Sequence, residues 1–196
     1  VNDLHAYGTI TKNPVVTGAE LVGYSFANQG SYLKMPHDTN ITHVGSGDFN
    51  VMGWFYNSPR GMTYFDIANA ASPRFFVAQM YNSDTFWFYM NTGSGGQSWT
   101  NGSNIESKQF WQFIACKRVG TTFSYSLNGR DFISQTANAW GGSISGNVPY
   151  ITIGQNYTAT SSAATGKMAL WKFSHSDISI QQVRKIFNDE KKLFAQ

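Results

Sequence analysis

The acidic residues are the first place to look for catalysis, because sandwich-type glycosidases hold an acid and a nucleophile or base on one strand face. Closely spaced patterns such as E-x-D-x-E would do this, and the sequence contains none. The eleven Asp and Glu residues are isolated along the chain, apart from Asp189-Glu190, which falls in a helical pattern near its end. The sequence therefore argues against hydrolysis, although acids distant in sequence can still meet in space.

Histidine and glycine patterns point to no other catalytic chemistry. The four histidines lack both H-x-x-x-H spacing and the cysteine partners of a zinc site. A G-x-S-x-G nucleophile elbow is missing, and Gly93-Ser94-Gly95-Gly96 lacks the lysine of a phosphate-binding loop. Calcium takes oxygen ligands from loops without a compact motif, so a Ca²⁺ site stays open, with Asp48 and Asp66 as its candidates.

Composition argues against nucleic-acid and membrane partners. The chain has a net charge of +3, and its fourteen Lys and Arg residues are scattered apart from three adjacent pairs, which favours solvent-facing positions over a nucleic-acid patch. No apolar run approaches the roughly 20 residues of a membrane helix, so we expect a soluble protein without membrane insertion. The single Cys116 cannot form an internal disulfide and is predicted to be an inert, buried thiol.

Three aromatic residues in loop-like surroundings are the best candidates for ligand contact. Trp99, Trp140 and Tyr157 stand among Gly, Ser and Asn residues. A flat ring can pack on the C–H face of a sugar while nearby amides, here Asn101 and Asn156, take its hydroxyls. The alternative is that these rings cap the open ends of a sandwich core.

Residues 110–130, FWQFIACKRVGTTFSYSLNGR, are the most strongly patterned stretch among the strands that must position such loops. One predicted strand face carries Trp111, Phe113 and Ala115, and the other carries Gln112, Ile114 and Cys116. Alternation resumes after Gly120, and Asn128-Gly129 favours the positive φ angles of a two-residue hairpin turn. The pattern predicts a β-meander.

Other segments predict further strands. Residues 24–26 and 32–35 read as a hairpin, and residues 49–56 as a strand covered on both faces or central in its sheet. A second meander is predicted from residues 62–68, 74–81 and 85–90. It is followed by a flexible loop over 91–98, and the last strands are predicted at residues 150–154 and 167–173.

The two ends of the chain differ in kind. Residues 1–22 are weakly patterned and predict an N-terminal arm or edge strands. Ser179 with Gln182 forms a capping box, and Ile180, Val183, Ile186, Phe187 and Leu193 recur at helical spacing, which predicts an amphipathic helix over 179–194 packed on the sandwich. No repeat or linker marks a second domain, so residues 1–196 are predicted to form a single one.

Five segments carry a family resemblance that covers residues 24–194. In order, YSFANQGSYLKMP, GSGDFNVMGWFY, FWQFIACKRVGTTFSYSLNGR, YITIG and GKMALWKFSHSDISIQQVRKIFNDEKKLF resemble the laminin-G-like, concanavalin A-like jelly-roll family. The resemblance implies an all-β, antiparallel two-sheet jelly-roll sandwich with one C-terminal α-helix. The chain lacks the E-x-D-x-E strand of the glucanases and the R-x-E-L-R and Q-[IV]-H strands of the alginate lyases that share this fold, which argues for a non-catalytic module.

The flanks suggest a narrower likeness. GTITKNPVVTGAELVGYS and IFNDEKKLF resemble those of the domains at the C-terminal end of bacteriophage virion proteins, associated with the tail or the capsid. This implies a location on the phage particle surface, in several copies. Two functions fit: binding of host-surface carbohydrate for adhesion, or decoration of the particle through contacts with other virion proteins and no sugar ligand. A polysaccharide depolymerase is a distant third.

Overall fold

The protein was analysed as a computed structural model that describes residues 4–27, 30–35, 44–56, 63–68, 74–79, 85–92, 95–101, 110–144, 150–155 and 166–194. In part of the strands between residues 68 and 101, including Asn101, the description covers the backbone alone. Within these ranges the chain is almost entirely β-structure, followed by one α-helix. Among the described residues, no helix has the length and apolar character needed to cross a membrane.

Fourteen strands in the described ranges form two antiparallel sheets. Their bounds are β1 His5–Tyr7, β2 Ile10–Pro14, β3 Val22–Phe26, β4 Tyr32–Met35, β5 Phe49–Tyr56, β6 Thr63–Ala68, β7 Arg74–Gln79, β8 Phe86–Thr92, β9 Gly95–Asn101, β10 Trp111–Val119, β11 Thr122–Leu127, β12 Ile133–Thr136, β13 Tyr150–Ile153 and β14 Gly166–Ser174. Sheet A has the order β1-β4-β13-β6-β7-β8-β9, and sheet B has the order β12-β11-β10-β5-β14-β3-β2. The two-sheet, all-β sandwich expected from the sequence is confirmed.

Strand β5 lies at the centre of sheet B and is buried on both faces, as predicted. Phe49, Val51 and Phe55 pack into the core between the sheets. Met52 and Trp54 face the other side, where they join a second apolar cluster under the C-terminal helix. Because successive side chains of a strand point to opposite faces, a continuous apolar run such as this one needs cover on both sides.

The meander over residues 110–130 is also confirmed. Strand β10 pairs with β11, and β11 pairs with β12. Asn128 and Gly129 have φ angles of 52° and 70°, the left-handed conformation that their residue types favour. Ile114 and Cys116 enter the core between the sheets, whereas Phe113 packs beneath the helix.

The predicted hairpin over residues 24–35 is wrong. Strand β3 belongs to sheet B, where it pairs with β2 and β14, and strand β4 belongs to sheet A, where it pairs with β1 and β13. The connection therefore crosses from one sheet to the other. A glycine-containing turn between two short apolar runs fits both connections, so local sequence does not distinguish them.

The flexible loop predicted over residues 91–98 is replaced largely by strands. Strand β8 continues through residue 92, and β9 begins at residue 95 and pairs with β8 along its whole length. Backbone pairing with β8 outweighs the low strand propensity of Gly95 and Gly96. Trp99 consequently lies on an edge strand of sheet A and not in a loop.

The C-terminal helix α1, Ile180–Glu190, covers the outer face of sheet B. Ser179 caps it, and the predicted capping box with Gln182 is present. The ring of Trp54 stacks on Phe187 and Phe194 at centroid distances of 5.6 and 4.2 Å, and its Nε1 donates to a Glu190 oxygen at 2.7 Å. The predicted apolar stripe is core-facing, except that Leu193 is exposed and Phe194 packs there instead.

The N-terminal residues provide edge strands, one of the two expected alternatives. Strand β1 ends sheet A, and strand β2 ends sheet B. Pro14 is tolerated in β2 because an edge position leaves one side of the strand without ladder partners. Val15 is buried beneath Trp111, whose Nε1 donates to the Val15 carbonyl at 2.8 Å, so this segment is part of the packed structure.

Candidate ligand-binding face

Trp140 does not stand in an exposed loop as predicted. Its side chain has no exposed surface, and its ring stacks on Phe123 with centroids 4.9 Å apart and planes 24° apart. The residue lies in a short 3-10 turn, Asn138–Gly141, that covers the core between the sheets. A buried ring cannot pack against a sugar, so this candidate is withdrawn and the capping alternative holds for Trp140.

Arg118 attaches the Trp140 turn to the segment that precedes β5. The guanidinium group is fully buried, and it donates to the carbonyl oxygens of Gly142 at 2.9 Å, Gly45 at 3.0 Å and Trp140 at 3.4 Å, and twice to that of Gly47. Burial lowers the pKa of Arg118 to about 10. The cation is thus held by carbonyl dipoles and has a structural role at this end of the sandwich.

Trp99 packs mainly against the core. It pairs with Phe88 across β8 and β9, and its ring lies 5.4 Å from that of Tyr125. It is partly exposed at the sheet edge, which again fits the capping alternative better than a ligand platform. The side chain of Asn101 and both Asn156 and Tyr157 lie outside the described residues, so their proposed sugar contacts stay predictions.

Neither candidate for calcium is supported by its surroundings. The buried carboxylate of Asp66 accepts hydrogen bonds from Arg74, with Nη2 at 2.8 Å from one oxygen and Nε at 3.2 Å from the other. Asp48 is exposed, and its Oδ1 accepts from the Gly120 amide at 3.0 Å. The described part of the chain contains no cluster of three or more His, Cys, Asp or Glu residues that could hold a metal ion.

The outer face of sheet A is the surface on which aromatic and polar side chains converge. Its strands present their apolar residues to the core, as β8 does with Phe86, Phe88 and Met90, so the alternate residues point outward. Strand alternation and pairing place these residues on the outer face: Tyr7, Tyr32, Lys34, Asp66, Arg74, Trp87, Tyr89, Asn91, Tyr150 and Thr152. Helix α1 covers the corresponding face of sheet B, whereas no α-helix in the described ranges packs on this one. Its middle is nonetheless buried, with Asp66 at 0% and Thr152 at 5% exposure.

Partly exposed rings lie at both ends of this face. Trp87 and Tyr89, on β8, lie with centroids 6.1 Å apart and planes inclined by 63°. Towards the other edge, Tyr7 and Tyr32 stack at 4.7 Å with planes 5° apart. Burial, and to a lesser extent the neighbouring Tyr7, raises the pKa of Tyr32, so its hydroxyl stays a neutral donor and acceptor.

Polar groups lie between these rings. The Arg74–Asp66 ion pair occupies the middle of the sheet, and Lys34 Nζ sits 3.6 Å from the centroid of the Tyr150 ring. Gly96 pairs with Asn91, and a Cβ built there would lie 3.6 Å from the Tyr89 hydroxyl, so the missing side chain leaves room beside that group. Among the described residues of this face, Asp66 is the one carboxylate, and its pairing with Arg74 does not suit general acid–base catalysis.

The sequence carries a signal for this face within a predicted strand. Residues 85–90 were predicted to form a strand, and its alternation already separated Phe86, Phe88 and Met90 from Trp87 and Tyr89. Large aromatic residues on both faces of a strand are consistent with an aromatic outer surface as well as with burial on both sides. The strand order of sheet A, which local sequence does not reveal, decides between the two.

Comparisons with known proteins support the fold and no particular family. Comparison with protein-family models gives no match, and neither does comparison with the sequences of curated proteins. Among solved structures, the botulinum neurotoxin serotype D binding domain is similar with a TM-score of 0.72 and 11% identity, over 96% of this chain and 47% of that chain. The serotype C1 binding domain matches with a TM-score of 0.71 and 13% identity, over the same shares of the two chains.

A further neighbour is the binding domain of botulinum neurotoxin DC in complex with SialylT, with a TM-score of 0.68, 10% identity, and coverage of 96% of this chain and 46% of that chain. The chain thus spans about half the length of these structures. At such low identity the likeness shows a shared β-sandwich architecture. The neighbours are toxin binding domains, and the residues of the outer face must be interpreted from their own geometry.

Proposed function

We propose that this chain is a non-catalytic module that binds carbohydrate on the outer face of sheet A. The observation that carries the proposal is the cluster of partly exposed Trp87 and Tyr89 beside the partly exposed Asn91, on the face of sheet A that points away from the core. Aromatic rings supply flat apolar surfaces for the C–H faces of sugars, and the Asn91 amide supplies hydrogen-bond partners for hydroxyls.

The dimensions of the face suit a chain of sugars better than a single one. Seven strands lie side by side in sheet A. With neighbouring strands about 4.8 Å apart, the face is roughly 29 Å across. Rings occur near both ends, at Trp87 and Tyr89 and at Tyr7 and Tyr32, with polar groups between them. Because Asp66 and Thr152 between the pairs are buried, each aromatic pair would contact its own sugar units of one extended chain.

Two further considerations support this function. One structural neighbour, a toxin binding domain, was solved in complex with SialylT, so a sandwich of this architecture occurs in a protein studied with such a ligand. The resemblance of both flanks to phage virion proteins leads us to place the module on the surface of a phage particle, with host-surface glycan as its ligand. Many copies on one particle would convert weak single-site binding into strong adhesion.

The proposal is tested by measuring the binding of a multimerised form of the full chain to host-cell polysaccharide. We expect Trp87→Ala and Tyr89→Ala each to weaken binding about tenfold or more, as loss of a central aromatic contact does elsewhere. Phe110→Ala is the matched control, since Phe110 is 37% exposed, precedes β10 of sheet B and lies outside the face. Absence of binding by the multimer, or binding unchanged in both sheet A variants, would refute the proposal.

The exposed edge strands favour a second candidate, a structural module that decorates the particle through other virion proteins. Strands β1 and β2 end the two sheets, and their residues are mostly exposed. An edge strand can accept a further strand from another chain. A reconstruction of the particle decides between the candidates: a contact of about 1,000 Å² or more through these edges supports decoration, and a solvent-facing outer face of sheet A supports glycan binding.

A further inference from the structure

A pocket of about 180 Å³ lies between the two sheets, away from the outer face of sheet A. Strands β3 and β14 of sheet B and β4 and β13 of sheet A enclose it, and Ala169 and Leu170 border it. Its other lining side chains include Tyr24, Phe26, Leu33, Ile153, Met168 and Trp171. Leu4, 45% exposed, also borders it and shows that the pocket reaches the surface. The lining is predominantly apolar, and three of these six side chains are aromatic.

A bulge in β14 builds one wall of the pocket. An extra residue between Ala169 and Lys172 shifts the register, and Leu170 has a φ of 53°, which is uncommon for a residue other than glycine. The bulge lets Leu170 pack under helix α1 while Trp171 points into the sandwich. Such strained backbone persists where the surrounding structure holds it in place.

The aromatic walls are held in position by their contacts. Trp171 Nε1 donates to the Trp54 carbonyl at 3.1 Å, and the Trp171 ring lies so close to Gly53 that a Cβ there would be 2.5 Å from it. Phe26 packs in the same way on Gly154, where a Cβ would lie 2.5 Å from the ring. Neither ring can swing inward to fill the space without losing these contacts, so the pocket is part of the folded structure.

We propose that this pocket binds a small, flat aromatic molecule of one or two fused rings. An apolar cavity of about 150 Å³ in another protein holds benzene, so the volume here suits a ligand somewhat larger than one ring. An α-helix, about 10 Å across, is too wide to enter. The flat rings of Phe26 and Trp171 in its lining favour offset-stacked or edge contacts with a second aromatic system.

This site is separate from the glycan-binding face. Leu33 and Ile153 point into the pocket, whereas their neighbours Lys34 and Thr152 lie on the outer face of sheet A. A substitution at Leu33 therefore changes the pocket without removing a side chain of that face. Failure of one proposal can be distinguished from failure of the other by measuring polysaccharide binding on the same variants.

The test titrates the full chain with indole and follows the amide and tryptophan N–H signals by two-dimensional NMR. We expect a dissociation constant of about 0.1–1 mM, with shifts concentrated at Ile153, Met168 and Trp171. Leu33→Phe fills the pocket and should weaken binding at least about tenfold, with polysaccharide binding unchanged. Ile133→Phe, on the exposed edge strand β12, is the matched control and should leave indole affinity unchanged.

Ile153→Phe serves as a second filling variant should Leu33→Phe fail to fold. The proposal is overturned by the absence of shifts at about 10 mM indole, or by undiminished binding in a folded filling variant. Tighter binding of octanoate than of indole would assign the pocket to acyl chains and would also overturn it. Binding that arises only after removal of residues 1–3 would assign the pocket to that segment of the chain and would likewise overturn the proposal.

Discussion

Replacing Arg118 with methionine would remove a buried cation from a site whose remaining polar groups are backbone carbonyls. In the folded protein the guanidinium satisfies the oxygens of Gly45, Gly47, Trp140 and Gly142. Methionine approximates the length of the side chain and removes the Arg118 donors from the oxygens of Gly47, Trp140 and Gly142, whereas the Gly45 oxygen keeps the Ile144 amide as a donor at 2.9 Å. Because the acceptors belong to the backbone, no compensating substitution can remove them, and the two segments keep the Ile144–Gly45 backbone bond but lose those that Arg118 makes.

The expected decrease in the free energy of unfolding is large for the replacement of a single side chain. An unsatisfied buried polar group costs about 1–3 kcal/mol. The Trp140 oxygen is fully buried, and those of Gly47 and Gly142 are partly buried. Relief of the desolvated charge and entry of water offset part of this, so we expect a decrease of about 3–5 kcal/mol in the free energy of unfolding. Arg118→Lys should recover part of it, because an ammonium group supplies three donors in place of five.

Urea unfolding followed by tryptophan fluorescence measures the change. Arg184→Met is the matched control, because Arg184 forms an ion pair with Asp131 in which both side chains are largely exposed, at 45% and 85%. The free energy of unfolding of Arg184→Met should decrease by about 0–1 kcal/mol. A decrease below about 1 kcal/mol for Arg118→Met, or equal decreases for the two variants, would show that the carbonyl cluster does not need the cation.

One further substitution, at Gly53, and one thiol reagent, directed at Cys116, test the packing of the core. Gly53→Ala places a Cβ 2.5 Å from the Trp171 ring and should destabilise the protein by about 1–3 kcal/mol or more in the same urea assay; an unchanged midpoint would contradict the described position of that ring. Cys116 is buried, and burial raises the pKa of its thiol, so it should react with a disulfide reagent only as the protein unfolds. Rapid stoichiometric reaction of the native protein at mildly alkaline pH would contradict that burial.

Much of the architecture was predictable from strand periodicity. The alternation around Phe113 and Ile114 separated the two apolar clusters, and Asn128-Gly129 marked a turn that adopts the expected positive φ angles. The cap at Ser179 located the start of helix α1. These features depend on neighbours within a few residues, which is the range over which sequence patterns carry physical information.

The features of the fold and the site that the sequence did not predict depend on contacts between distant segments. Local composition placed Trp140 in an exposed loop, but a large ring beside glycines is also what closes the open end of a sandwich, and Arg118 holds it there. Likewise, the connection between β3 and β4 crosses sheets, although its turn residues resemble those of a hairpin. The candidate face emerges only when β4, β6, β8 and β13 are assembled in order.

The most direct test of glycan binding on the outer face of sheet A is fluorine NMR of the protein labelled with 5-fluorotryptophan. The chain has six tryptophans, so each signal can be assigned by single substitution. On addition of host polysaccharide, the signal of Trp87 should shift while those of the buried Trp111 and Trp140 stay in place. Binding that leaves the Trp87 signal unmoved, or that shifts Trp99 alone, would contradict the assignment of the site to this face.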